Sequence, residues 1–206
     1  MNKFKKLVIL TVAAFLVLSF TVSAAVIYIV QSNHGFVLEH ELMQGVTELL
    51  EDPDRLLTRG EFIRLVVALE QADLNTHWDS WLWDIFDDTP HADAIQWGNY
   101  HGIVFTMCIY NGFLPHFNIT KEQAATMLGR YARNFDIVFL EDFENDYVLN
   151  TFSDQWHISY WSVDYVDKLH GAGVVMLDEW GNFNPQRNVT LEQAIELFER
   201  FARLTN

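Results

Sequence analysis

A proline, four intervening residues, a threonine and then a glutamate or glutamine three positions on occur three times in this chain. The copies are Pro53–Thr58–Glu61, Pro115–Thr120–Gln123 and Pro185–Thr190–Gln193, separated by 62 and 70 residues. Recurrence of one pattern at such spacing means that the chain is assembled from copies of one supersecondary unit, each too small to bury its apolar face alone. Each copy is also a helix start. The threonine hydroxyl accepts from the backbone N–H of the third helical residue, and the acid or amide there reaches back to the cap, so two otherwise orphaned donors are satisfied.

The residues after each box keep a helical register. They are Phe62, Leu65, Val66 and Leu69 in the first copy; Ala124, Met127, Leu128, Tyr131 and Ala132 in the second; Ala194, Leu197, Phe198, Phe201 and Ala202 in the third. Spacing of three and four places each set on one face of a helix, which predicts three equivalent helices burying those faces against one another. Upstream, Phe86-Asp87-Asp88 and Phe152-Ser153-Asp154 open two units, and short helical patterns follow that stop at Gly102 and Gly173. Glycine ends a helix readily because it takes the left-handed conformation without steric cost. Turns at Asn111-Gly112 and Gly181-Asn182 lead to Phe113-Leu114-Pro115 and Phe183-Asn184-Pro185, giving a unit of helix, loop with turn, and capped helix.

In this order the residues resemble the S-layer homology (SLH) repeat: Phe-x-Asp, a Trp, a helix ending in Gly plus Ile or Val, a Gly turn, Phe-x-Pro, then a Thr-Arg-x-Glu-like box. The third unit carries Trp161 twelve residues before Gly173, the second has Pro90 where that Trp belongs, and Leu57-Thr58-Arg59-Gly60-Glu61 is the fullest box. The resemblance implies an all-α fold of three SLH repeats in a pseudo-threefold arrangement. The repeats would span residues 32–70, with a degenerate upstream half, then 86–133 and 152–204.

Lys3, Lys5 and Lys6 precede an apolar stretch from Leu7 to Val22, and Val22-Ser23-Ala24 is a small-residue cleavage pattern. Residues 1–24 thus read as a secretory signal peptide. The uncharged run continues to Val30, 24 residues in all, long enough for an uncleaved membrane anchor over residues 7–30. Either reading exports the body of the chain.

Thirteen basic residues face 28 acidic ones, a formal charge of −15. That balance argues against nucleic-acid binding, which needs basic surface to neutralise phosphate. Cys108 is the single cysteine, so no intramolecular disulfide forms. The eight histidines lack metal-ligand spacing, the Asp178–Asn182 turn lacks the ligand spacing of a calcium loop, and neither a nucleophile elbow nor a phosphate loop is present. No cofactor is expected, and the chain reads as a binding module, not an enzyme.

SLH domains generally anchor proteins at the bacterial cell surface by holding an anionic, often pyruvylated, secondary cell-wall polysaccharide in grooves between repeats. The resemblance implies that the box cation and nearby polar and aromatic residues contact the glycan. On the residues themselves, a carboxylate is favoured at a helix N-terminus, where free N–H groups and the dipole attract negative charge. The three boxes offer Arg59, Lys121 and Leu191. Because Arg forks to a carboxylate where Lys acts as a point charge, the first groove is the better candidate. Candidate ligand residues are Arg59, Lys121, Trp161, Asp88 and Asp154. Against this stand plainer roles: Arg59 and Lys121 as solvated first-turn residues, Trp161 as a seam residue, and Asp88 and Asp154 as braces of the following helix.

Two aromatic-rich connectors contain Trp78, Trp81 and Trp83, then Phe135, Phe139 and Phe143. They either plug gaps between units or present a sugar-stacking platform, and burial of Trp81 and Trp83 distinguishes the two. The expected partner is wall polysaccharide, with other surface proteins as a further class and the membrane only through residues 7–30. Two rival functions stay open: a degenerate SLH fold serving as an interaction or envelope-assembly module, suggested by Leu191 and the incomplete first unit, and an accessory subunit of a surface hydrolase.

Overall fold

The computed structural model describes residues 52, 54–76, 78, 81–106, 112–137 and 152–204. The leader, the upstream half of the first unit, Cys108, Asn111, Phe139 and Phe143 lie outside them. Among the described residues there are five helices: α1 (Arg59–Glu70), α2 (Ala92–Tyr100), α3 (Lys121–Asn134), α4 (Val163–Gly171) and α5 (Leu191–Ala202), with a 3-10 turn at Gln155–His157. Among the described residues no strand forms, only isolated antiparallel bridges. The described part is therefore all-α.

All three predicted capping boxes are formed in both directions, at Thr58 with Glu61, Thr120 with Gln123 and Thr190 with Gln193. The predicted stops hold as well. Gly102 and Gly173 take φ of 68° and 75°, and the next N–H groups, of Ile103 and Val174, return to the carbonyls of Gly98 and Leu169, both at 2.8 Å. Replacing Thr120 or Thr190 by alanine should cost about 1 kcal/mol in denaturant unfolding, since the cap donor loses its acceptor while the apolar face stays intact.

The loops before the capped helices bond one another in a closed ring. Leu57 N–H donates to Val189 O, Val189 N–H to Ile119 O, and Ile119 N–H to Leu57 O, each at 2.9 Å. Leu57, Ile119 and Val189 are all buried, so each backbone bond is made in apolar surroundings. An unpaired buried amide there would cost a hydrogen bond outright, which fixes all three loops at once.

Around this ring the helices pack mainly in neighbouring pairs, α1 on α2 and α3 on α4. Small residues set the approach: a Cβ at Gly98 would lie 2.7 Å from Ile63 Cδ1, and one at Gly129 would lie 2.5 Å from Tyr165 Cδ1. The capped helices meet through aromatic pairs, Phe62 with Phe198 at 5.2 Å and Tyr131 with Phe201 at 5.8 Å. The predicted faces are buried except at Leu69, Leu197 and Ala202, which are half-buried. Leu197 instead lines a groove described below.

Candidate functional site

The predicted anion site at a helix N-terminus does not exist in α1 or α3, because every donor there is already used. In α1 the N–H of Arg59 goes to Phe117 O, that of Gly60 to Pro115 O, that of Glu61 to Thr58 Oγ1 and that of Phe62 to Thr58 O. In α3 the same four positions bond Arg187 O, Pro185 O, Thr120 Oγ1 and Thr120 O. The loop of the next unit supplies the first two acceptors in each case. Anion binding must then come from side chains.

Each receiving loop is braced by an aspartate. Asp154 accepts from the backbone N–H groups of Phe183 (2.8 Å) and Asn184 (2.6 Å). In the preceding unit this is done by Asp84, which accepts from Phe113 (2.8 Å) and Leu114 (2.7 Å). The match of Phe86-Asp87-Asp88 to Phe152-Ser153-Asp154 points to Asp88 for that place instead. Asp88 is exposed, whereas buried Leu82 matches buried Phe152 two residues before the working acid. Asp154 thus holds a loop, and Asp84 is the equivalent that sequence reasoning missed.

Arg59 sits at the groove between α1 and the loops at 103–105 and 113–117, but it faces inward. Its side chain is 1% exposed. Nε donates to Phe113 O at 2.8 Å, Nη2 approaches Phe105 O at 3.5 Å, and Cζ lies 4.5 Å from the Phe113 ring centroid and 5.8 Å from that of Phe105. Burial pushes the guanidinium down to about 10, with Asp84 pulling the other way, so it stays charged at neutral pH. The cation of the first groove is therefore not solvated: two phenyl rings close over it. Trp161 packs on the outer ring, 5.4 Å from Phe105, and is half-buried as a seam residue.

The equivalent groove at Lys121 is open. A recess of about 240 Å³ lies between the start of α3, the loop at 174–178 and α5, and Lys121, Arg187 and Arg200 contribute its cations. Lys121 Nζ lies 4.9 Å from the Phe183 ring, as Arg59 lies over Phe113, yet Met176 stands where Phe105 covers the first groove and is itself exposed. Burial and the nearby Arg187 hold the Lys121 ammonium below its usual value, against the pull of Asp154 and Asp178. Lys121 thus carries its charge beside a like charge in a recess open to solvent. Arg200 is paired with Glu196 at 3.0 Å. Leu191, the third box position, is buried in the core and offers no charge.

Two acids shape the groove. Asp178 accepts from the N–H groups of Asn182 and Trp180 and from the side-chain amides of Asn182 and Asn184. These donors, the Asn182 amide foremost, hold its carboxyl low, at about 2. Its capacity is spent on the turn. Glu122, another residue the sequence did not single out, is buried and accepts from Ser159 N (2.9 Å), Ser159 Oγ (3.0 Å) and Gln186 Nε2 (2.8 Å). It ties the loop that carries Arg187 to α3.

The tryptophan question is decided toward exposure. Trp81 is 88% and Trp83 57% exposed, and Trp156, Tyr160 and Trp180 are exposed too. Trp78 is half-buried against Tyr100 and His101. Leu82 and Ile85 do the plugging instead. Among the described residues no group of three His, Cys, Asp or Glu could hold a metal ion, and no helix is long and apolar enough to cross a membrane.

Residues 151–195 match the family model described as S-layer homology domain. This segment contains α4, the Asp154 brace, the Arg187 loop and the third capping box, so the chain carries an SLH domain there. Domains of this kind are in general cell-surface modules that attach to bacterial cell-wall polymers. A comparison with curated proteins returns no match.

Proposed function

We propose that the chain is an exported, non-catalytic SLH module of three repeats that attaches to an anionic secondary cell-wall polysaccharide through the Lys121 groove. The carrying observation is the pair of cations Lys121 and Arg187 at an open recess whose equivalent at Arg59 is closed. The closed ring of loop hydrogen bonds, with one member before each capping box, supports three repeats. By the aspartate braces, the second repeat begins near Leu82 and the third near Phe152. Residues 1–30 supply either the cleaved leader or the anchor.

The chemistry is that of a charged sugar. A carboxylate such as a pyruvate ketal takes charge-assisted bonds from Lys121 and Arg187. Trp180, exposed two residues beyond Asp178 of the groove, offers a face on which a sugar ring stacks. Arg59 and Leu191 contribute no ligand contact in this reading, so one groove does the work.

Sedimentation with purified wall sacculi tests it. The wild type should pellet with intact sacculi and stay in solution with sacculi stripped of their polysaccharide. Lys121→Glu together with Arg187→Glu should weaken pelleting by about tenfold or more while leaving the circular dichroism unchanged. Equal pelleting with intact and stripped sacculi would instead support the degenerate interaction module, which the burial of Arg59 and Leu191 favours.

A further inference from the structure

Only one of the three boxes buries an acid at its second helical position. The copies carry Gly60, Glu122 and Glu192 there. Gly60 has no side chain and Glu192 is exposed, whereas Glu122 is 2% exposed. Among the described residues the Glu122 carboxylate makes no ion pair. It is held by neutral donors instead, accepting from Ser159 N–H at 2.9 Å, Ser159 Oγ at 3.0 Å and the Gln186 side-chain amide at 2.8 Å. Its place in the first turn of α3 also suits a negative charge. The Glu122 carbonyl accepts in turn from Thr126 Oγ1 at 2.8 Å and Ser162 Oγ at 3.1 Å, so this residue is tied down through side chain and backbone alike.

The loop before α5 is thereby gripped at three consecutive residues. Lys121 N–H donates to Arg187 O at 2.9 Å, Glu122 N–H donates to Pro185 O at 3.1 Å, and the Gln186 amide between them reaches the Glu122 carboxylate. The first groove has the two backbone bonds, from Arg59 to Phe117 O and from Gly60 to Pro115 O. It lacks the third, because Gly60 offers no acceptor and His116 at the middle position is exposed. The extra anchor bears on Arg187. That residue is exposed, and among the described residues its side chain makes no ion pair, so its place at the recess follows from the backbone of its loop. A buried carboxylate is a firm anchor, since losing one of its donors leaves a desolvated charge unsatisfied.

We infer that Glu122 is a positioning residue for the Lys121 groove: its buried carboxylate holds the Pro185–Arg187 loop so that Arg187 stands at the recess before any ligand arrives. The part played by Arg187 in binding rests on the proposed function above, whereas the grip on the loop exists without a ligand. Glu122 does not line the recess, so it acts through the loop and not by contact. Removing its charge has two effects of opposite sign. Electrostatics alone leaves the binding of an anion unchanged or strengthens it, because one negative charge is gone. Release of Arg187 weakens it.

The test is Glu122→Gln in the full chain, read by amide hydrogen exchange without ligand and by pelleting with intact sacculi across a salt series. The new side-chain amide sets a donor against the donor of Gln186, so the loop loosens. The backbone amides of residues 121, 122 and 187 should then exchange faster by about tenfold or more while those of α1 keep their wild-type rates. Pelleting should weaken by about threefold to tenfold with an unchanged salt dependence, because the contacting cations are still present. Glu122→Gln with Gln186→Glu reverses the pair and sets a donor against an acceptor again. Exchange should return toward wild type in that double variant, although the new charge beside Arg187 keeps pelleting weak. Wild-type exchange in the single variant, or pelleting equal to or above wild type, would overturn the positioning role. Faster exchange that the reversed pair leaves uncorrected would overturn it too, as general loosening. If wild-type protein does not pellet at all, the groove reading falls, and exchange alone still decides whether Glu122 holds the loop.

Discussion

Arg59→Ala should unfold the protein far more readily than it impairs any ligand contact. The side chain is fully buried, its Nε holds the Phe113 carbonyl, and the Phe105 and Phe113 rings pack on its guanidinium. Truncation removes that volume and leaves a buried carbonyl without its donor. Cavity and orphaned acceptor together should cost about 3 to 5 kcal/mol. Against a typical stability of roughly 5 to 15 kcal/mol this is a large fraction. Arg59→Lys keeps a charge but cannot place a donor at Nε, and should fall between. The check is urea unfolding beside sacculus pelleting at a temperature where each variant is folded. A variant with wild-type stability and lost pelleting would return Arg59 to the ligand site and refute its role as a buried brace.

The outcome at Arg59 shows what local sequence carries and what it does not. The capping boxes were legible because the chemistry is confined to four residues, and a threonine hydroxyl reaches its third helical N–H regardless of what surrounds it. The glycine stops at Gly102 and Gly173 were legible for the same reason. Whether an arginine at the first helical position faces water depends on Phe105, which lies 46 residues away and arrives only with the tertiary fold. In the next unit Met176 stands at the matching place and Lys121 is left in an open recess. One residue difference in a loop, Phe105 against Met176, separates the covered cation from the open one.

The ring of loop bonds was beyond reach because it is made by backbone groups of Leu57, Ile119 and Val189, whose side chains say only that they are buried. It also explains why the N-terminal dipole argument failed: the amides it relied on are consumed by Pro115, Phe117, Pro185 and Arg187 carbonyls. The exchange of Asp84 for Asp88 had a readable signal. Phe86-Asp87-Asp88 looks more like Phe152-Ser153-Asp154 as text, but the working distance is the 29 residues from the acid to the phenylalanine amide it holds, and Asp84 and Asp154 share it. Counting from the loop instead of from the aromatic would have found the right acid.

Closure of the described body should depend most on Phe198. Its ring meets Phe62 at 5.2 Å, joining the last capped helix to the first, and it is buried while its neighbour Leu197 is half-buried at the groove. Phe198→Ala removes a buried ring from a contact that no chain-adjacent element can replace, and should cost about 3 to 5 kcal/mol. Leu197→Ala, on the same helix and one residue earlier, gives up only partly buried area and should cost roughly 1 kcal/mol. Phe198→Ala should also speed amide exchange in α1 together with α5, because Phe62 loses the ring it packs on. Phe198→Leu should restore much of the stability by refilling the space. Equal destabilisation by the two alanine variants would mean that α5 presents a different face, and protection retained in α1 would mean that the Phe62–Phe198 contact does not couple the first and last helices.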